Sequence, residues 1–265
     1  MKSKNAIIIP GYNGLFGHPN YEICLETWKF YCKKYNIDLI ILTGHKSYKN
    51  VENDYAAMCF DRWVEVPSYG DYERLTFVDG DTIIRWDAYN FIEVLENHNV
   101  EVGVIPDQGG NSVANYHLNQ WVPYFPEVVP YIKTYFNAGF VTLKPKHLTL
   151  LQDKIKFYKE FYYQEKDINC HVEGIGKQGG IRLDAMDQTA INLTIQELFG
   201  EELTVLPKDF NCQVPYLYNT DQDFINNYKS FDFLNKGIIF HLGSTTLAYT
   251  NVVPDFWSKF KENYI

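Results

Sequence analysis

The sequence predicts an α/β fold, and three observations carry that expectation. The chain opens with a buried-strand pattern, a helix with a wide apolar face and a second strand, Ala6–Pro10, Tyr21–Tyr35 and Asp38–Leu42. An apolar, β-rich run from Arg74 then leads directly into Asp79-Gly80-Asp81. Strand and helix patterns go on alternating to the C-terminus, without internal repeats, linkers or low-complexity runs, so the 265 residues are read as one domain spanning 1–265.

Each element has its own justification. Ala6-Ile7-Ile8-Ile9-Pro10 is continuous and β-branched, and Gly11-Tyr12-Asn13-Gly14 at its end is loop chemistry. In Tyr21–Tyr35, Ile23, Leu25, Trp28, Phe30 and Tyr31 give the helix its buried face, and Asp38–Leu42 is closed as a strand by Thr43-Gly44. Asn53–Trp63 reads as a second helix and Val64–Pro67 as a short strand or turn. A strand is expected from Arg74 that ends in Asp79-Gly80-Asp81, then a helix from Ile84 to Leu95 and a strand over Glu101–Pro106. The stretch Asp107–Pro126, rich in Gly, Asn, Gln and Tyr, reads as a long loop whose Tyr116, Trp121 and Tyr124 favour a working surface. Phe136–Leu143 is a strand entered through small residues, Leu148–Tyr163 an amphipathic helix, and Lys166–Leu183 a polar, glycine-rich segment. A helix opens at Asp187, strands follow at Leu203–Pro207 and Gly237–Gly243, and Val252–Tyr264 closes the chain as an aromatic helix.

Composition narrows the function classes. A net charge of −9 argues against a broad nucleic-acid surface, although Lys144, Lys146, Lys154 and Lys156 form a local basic group. Arginine occurs only at positions 62, 74, 85 and 182, and only Arg offers a bidentate fork to phosphate. Arg74 reads as a solvated strand-start residue; Arg62 is open between an anion contact and a surface ion pair. The first apolar run is too short for a signal peptide or a membrane span. Five scattered cysteines with no Cys-x-x-Cys indicate reduced, packed thiols of a cytoplasmic protein. Gly11, Gly14 and Gly17 are spaced G-x-x-G-x-x-G, which is not the dinucleotide fingerprint.

The chemistry concentrates at Asp79-Gly80-Asp81. A strand ending there sets two hard oxygen donors at the carboxyl end of a sheet, where α/β folds bind ligands. Alternate residues of extended chain face the same way, so Asp79 and Asp81 suit one Mg²⁺ or Mn²⁺ holding a diphosphate. An acidic turn with no ligand has the same composition.

Further motifs follow in order: Tyr135-Phe136-Asn137-Ala138-Gly139-Phe140, Asp187-Gln188-x-x-x-Asn192 and His241-x-Gly243. Together with Val78-Asp79-Gly80-Asp81-Thr82 they resemble glycosyltransferase family 8, which includes glycogenin, galactinol synthase and lipopolysaccharide galactosyltransferases. The resemblance runs from the first strand to about Ser244. It implies a GT-A fold, a Rossmann-like mixed sheet flanked by helices. It also implies a retaining hexosyl- or pentosyltransferase that uses a nucleotide-diphosphate sugar, UDP-linked by expectation, with Mn²⁺ or Mg²⁺ and a hydroxyl acceptor.

By that match, Asp79 and Asp81 are the DXD metal ligands and His241 the third ligand. Pro10, Gly11, Tyr12 and Asn13 correspond to the base- and ribose-binding loop. Arg62 lies near a basic residue that reaches the diphosphate or sugar. Asn137, Ala138 and Gly139 meet the donor sugar, and Asp187 and Gln188 face its reactive carbon. The competing readings are a helix cap for Asp187, with Asp184 as an alternative in a shifted register, and a packed strand-end histidine for His241. The C-terminal motif departs from the family: Gly243 comes one residue early, and Leu242-Gly243-Ser244-Thr245 lacks the usual Lys-Pro-Trp. Ser244, Thr245 or Lys236 are the substitutes for that lysine. Rival classes are a non-catalytic sugar-nucleotide or glycan-binding relative, a sugar-1-phosphate nucleotidyltransferase, and a transferase acting on modified nucleic acid.

Overall fold

The computed structural model describes residues 4–11, 19–43, 55–64, 71–121, 124–127, 132–170, 186–218, 221–243 and 251–265. The main sheet has six strands in the order β2 (Asp38–Leu42), β1 (Asn5–Pro10), β3 (Arg74–Val78), β6 (Phe136–Leu143), β5 (Val102–Pro106) and β7 (Leu203–Val205). β1 pairs in parallel with β2 and β3, and β5 with β7, while β6 runs antiparallel between β3 and β5. This is the mixed α/β architecture expected.

Alternation along the strands divides the core. Ala6, Ile8, Leu75, Phe77, Val102, Val104, Val141 and Leu143 face one layer, built on helices α2 (Tyr55–Val64), α5 (Leu148–Cys170) and α6 (Met186–Phe199). Ile7, Ile9, Val78, Ile105 and Phe140 face the other, against α1 (Pro19–Tyr35) and α3 (Phe91–Asn97). Period-two side-chain direction in strands buried on both faces produces this split. A third cluster packs a small sheet, β4 (Thr82–Ile84), β9 (Ile239–His241) and β8 (Cys212–Gln213), against α1 and the C-terminal helix Val252–Phe260.

The strand expected from Arg74 ends at Val78, just before Asp79-Gly80-Asp81, and a second strand that the sequence did not reveal follows at Thr82–Ile84. β3 belongs to the main sheet and β4 to the small one, and Asp79-Gly80-Asp81 is the crossing. The turn is pinned from within, because Thr82 Oγ1 donates to the Asp79 carbonyl at 2.6 Å and Trp28 Nε1 donates to Thr82 Oγ1 at 2.9 Å. Helix formation begins only at Phe91, because Arg85-Trp86-Asp87 first make a turn. There Arg85 pairs with Asp87 and donates to the carbonyls of Leu234 and Gly237, tying the turn to the approach of β9.

Three further expectations change. Residues Gly110–Trp121 form a helix, α4, where a loop was expected. Trp121 is fully buried against Phe125, Tyr158 and Phe161, so it is core, while Tyr116 is exposed. Arg74 is fully buried: its guanidinium donates to Glu96, the Val100 carbonyl and Thr142 Oγ1. A buried strand position accepts a cation only when its fork is filled this way. The local lysines are largely paired, Lys144 and Lys146 with Glu101, Lys154 with Glu197 and Lys156 with Asp153. Cys24, Cys32, Cys59 and Cys212 are buried and form no disulfide, and burial raises the Cys32 thiol to about 12 and that of Cys212 to about 11. Among the described residues no helix is long and apolar enough to cross a membrane.

Candidate functional site

The site lies where the two sheets meet. Asp79 extends the main-sheet ladder, its N–H donating to the Gly139 carbonyl at 3.1 Å. Asp81 extends the small-sheet ladder, its carbonyl accepting from Leu242 N–H at 3.1 Å. β9 runs antiparallel to β4 with Thr82 opposite His241, which delivers the imidazole to the two carboxylates. His241 Nε2 lies 3.5 Å from Asp79 Oδ2 and 3.3 Å from Asp81 Oδ1. The donor atoms of Asp79, Asp81 and His241 all fall within 4.8 Å of one another. Two carboxylates and one imidazole at that spacing form a donor set that fits Mn²⁺, with carboxylate oxygens also suited to Mg²⁺. The residues fit the implied cation.

Gly139 makes this convergence possible. A Cβ there would fall 2.6 Å from Asn137 Oδ1, 2.7 Å from Asp79 Oδ2 and 2.7 Å from His241 Cε1. Gly243, two residues beyond His241, has φ of 70°, a left-handed conformation that suits glycine.

Arg62 joins the centre to α6. Its guanidinium donates to Asp79 Oδ1 and, through Nε at 3.0 Å and Nη2, to Asp187 Oδ2. Trp63 Nε1 also donates to Asp187 Oδ2, at 3.2 Å. Asp187 thus commits its Oδ2 to Arg62 and Trp63, and Arg62 is buried, not a surface ion pair. Burial opposes the Arg62 charge, but Asp187 and Asp79 outweigh it and hold the guanidinium cationic. Burial likewise opposes charge on His241, yet Asp81 foremost raises its pKa to about 9. Asp79 is raised by burial, against the pull of Arg62 and His241. Asp81 ends lowered, because His241 offsets its burial. Three carboxyl groups (Asp79, Asp81, Asp187) face one guanidinium and one imidazole, an oxygen-rich set that suits a divalent cation.

A second group of side chains flanks the triad. Asn137 Nδ2 donates to Gln188 Oε1 at 3.1 Å, and Ala138 N–H donates to the same oxygen at 3.1 Å. Gln188 Nε2 donates to Asp107 Oδ2 at 2.9 Å. The Gln188 oxygen therefore already accepts two hydrogen bonds, which disfavours it as a nucleophile. Asn192, one helical turn on, clamps β6 through both main-chain groups of Phe136 at 2.8 Å.

The structure therefore brings Arg62, Asp79, Asp81, Asn137, Ala138, Gly139, Asp187, Gln188 and His241 together, with Gly80 in the turn. Pro10 ends β1 at the level of Asp79, as the parallel register Ile8 opposite Phe77 dictates, and Gly11 N–H donates to the Leu42 carbonyl at 2.7 Å. Tyr12, Asn13, Asp184, Ser244 and Thr245 lie outside the described residues. Lys236 is exposed before β9, at the opposite end from His241. Five steps of mainly extended chain, at ~3.3 Å each, separate the two. The sequence reading missed Trp63, Gln108, Asn211 and Gln213. Asn211 Nδ2 donates to Asn137 Oδ1 at 2.9 Å, and Gln108 Nε2 to the Asn211 carbonyl at 2.7 Å. The signal available was Leu206-Pro207 followed by a buried aromatic and two amides, Phe210-Asn211-Cys212-Gln213, in a stretch with no periodic pattern.

No protein-family profile and no curated protein sequence matches the chain. Solved structures do. A glycosyltransferase involved in the glycosylation of the major capsid of PBCV-1 matches with a TM-score of 0.52 at 12% identity, over 92% of this chain and 95% of that one. The chain has a glycosyltransferase fold. The bifunctional glycosyltransferase WbbM matches at a TM-score of 0.57 and 15% identity, over 100% of this chain and 50% of that chain. GlyE of Streptococcus pneumoniae TIGR4 matches at 0.52 and 13%, over 97% and 64%. The chain thus spans half of WbbM and less than two thirds of GlyE. Within this glycosyltransferase fold, of the GT-A type, Asp79 and Asp81 follow the carboxyl end of β3 and meet His241 from β9.

Proposed function

We propose that the protein is a metal-dependent, retaining glycosyltransferase of the family 8 kind, moving a hexose or pentose from a nucleotide-diphosphate sugar, UDP-linked, to a hydroxyl acceptor. The observation that supports this most is the convergence of Asp79, Asp81 and His241 beside Asp187, Gln188 and Asn137 within a glycosyltransferase fold. Asp79, Asp81 and His241 would hold Mn²⁺ or Mg²⁺. When bound, such a cation supplies positive charge that stabilises a departing diphosphate.

The chain's own residues do the rest. Arg62, held cationic between Asp79 and Asp187, adds fixed positive charge beside the leaving group. Asn137 and Gln188, already oriented by main-chain N–H groups, position the sugar, and Asp187 lies near its reactive carbon. The bond from the anomeric carbon to the phosphate oxygen breaks, and the acceptor oxygen bonds to that carbon on the same face. The acceptor's proton passes to the leaving phosphate oxygen. Electrostatic preorganisation carries the barrier reduction, with no protein nucleophile.

The test is a panel of UDP- and GDP-sugars incubated with Mn²⁺, with released nucleotide measured. Turnover with at least one donor, lost on adding EDTA and in Asp79→Ala and Asp81→Ala, is expected. Full metal-dependent turnover in both variants overturns the assignment.

A further inference from the structure

We propose that Asn211 is a positioning residue that acts through Asn137, as the first member of a one-directional chain Asn211, Asn137, Gln188, Asp107. This rests on the reading of Asn137 and Gln188 as sugar-binding groups and adds to it the residue that fixes how they present their hydrogen bonds.

Main-chain donors settle the chain's direction. A backbone N–H can only donate, so Gly139 N–H at 2.8 Å identifies Asn137 Oδ1 as the acceptor. By the same reasoning Ala138 N–H at 3.1 Å identifies Gln188 Oε1. Asn137 Nδ2 must then donate to Gln188 Oε1, and Gln188 Nε2 to Asp107 Oδ2, a carboxylate that only accepts when ionised. Asp107 is fixed in turn, since its Oδ1 accepts from Gly109 N–H at 2.8 Å. At the other end Asn137 Oδ1 takes a second donor, Asn211 Nδ2 at 2.9 Å. Every hydrogen points one way, from Asn211 towards the carboxylate, so the bonds polarise one another.

Asn211 is well placed for this role. It is fully buried, between Phe210, which packs on Phe91 and Phe140, and Cys212 at the start of β8. Its carbonyl accepts from Gln108 Nε2, and Gln213 Oε1 accepts from Gln108 N–H at 3.2 Å, locking the segment to the end of β5. Its own Oδ1 is buried with no hydrogen-bond partner among the described residues. An unpaired buried carbonyl is destabilising. Packing alone is served better by an apolar side chain, so the useful part of Asn211 is its donor.

The experiment uses the full chain and the nearly isosteric Asn211→Asp, which sets an acceptor against the Asn137 oxygen. Steady-state hydrolysis of UDP-galactose and UDP-glucose with Mn²⁺ is measured beside UDP–Mn²⁺ affinity, for N211D, N137A and the double variant. N211D is expected to lower kcat by about tenfold, with UDP affinity within about twofold of wild type. In the double variant the loss should equal that of N137A, because Asn211 acts through Asn137. Wild-type kcat in N211D, a thermal-stability loss alone, or a double-variant loss equal to the product of the single losses overturns the proposal.

If wild type hydrolyses neither donor, that result counts against those donors, and the chain is read directly from side-chain amide NMR. The Asn137 and Gln188 NH₂ signals, identified by their loss in N137A and Q188A, must shift in N211D. Unchanged signals overturn the proposal on their own.

Discussion

Gly139→Ala is the sharpest perturbation of the site, since one methyl group meets three of its residues at once. The added carbon would lie 2.6 Å from Asn137 Oδ1 and 2.7 Å from both Asp79 Oδ2 and His241 Cε1. The attractive optimum for carbon contacts begins near ~3.5 Å, so each neighbour must retreat by about 0.8–0.9 Å or β6 must move. β6 is hydrogen-bonded on both sides, to β3 and β5, and resists moving. Overpacking of this kind costs about 1–3 kcal/mol, and a displacement near 1 Å at a reacting centre costs on the order of 10²-fold in rate. The assay pairs Mn²⁺ titration calorimetry and donor hydrolysis with thermal unfolding. Gly103→Ala serves as control, because the three atoms nearest its Cβ are side-chain carbons of Thr142, Leu206 and Val100, at 2.7, 2.9 and 3.1 Å. G139A should lose Mn²⁺ affinity and turnover by tenfold or more, while G103A loses stability alone. Wild-type Mn²⁺ affinity in folded G139A would refute the reasoning.

Other expectations follow from the same contacts. Arg62→Ala leaves the Asp79 and Asp187 carboxylates without their buried cation and should destabilise by about 3–5 kcal/mol in urea unfolding; a loss below about 1 kcal/mol would count against the pairing. Arg74→Ala, removing a fully buried guanidinium remote from the triad, should cost roughly 2–4 kcal/mol while leaving Mn²⁺ affinity intact. Glu101 is held down at about 2 by Lys144, Lys146 and His147, below its ordinary 4.5. A depressed carboxylate contributes stability that is present above its unfolded pKa and lost as pH falls from there towards 2. Glu101→Gln should flatten the melting temperature against pH over that window, and a profile as steep as wild type would show that the ion pairs contribute little.

Much of the frame was legible because periodicity encodes it. The β-branched run Ala6–Pro10, the strand Phe136–Leu143 entered through small residues and the apolar faces of Tyr21–Tyr35 and Leu148–Tyr163 are strands and helices in the structure. What failed had no periodic signature. Nothing in the apolar sequence of Arg74–Ile84 marks the change of sheet, because both halves are fully buried strands. α4 carries no charged residue and opens on glycine, so composition imitated a loop. Arg74 looked exposed because its partners, Glu96 and the Val100 carbonyl, are twenty or more positions away. Asn211 sits among short helical turns, where only a three-dimensional partner distinguishes it from any loop amide.

The change of sheet at Gly80 makes the candidate metal centre a seam. Asp79 is carried by one hydrogen-bonded sheet, and Asp81 and His241 by another, with a single glycine joining the two carboxylates along the chain. A cation shared by these three groups would act as a rivet between separately built halves. Its affinity would then depend on how well the aromatic cluster behind the small sheet, Phe233, Phe240 and Phe256, docks that sheet in place. Substitutions far from any carboxylate, in the packing behind β9, would loosen the centre by letting its halves drift apart.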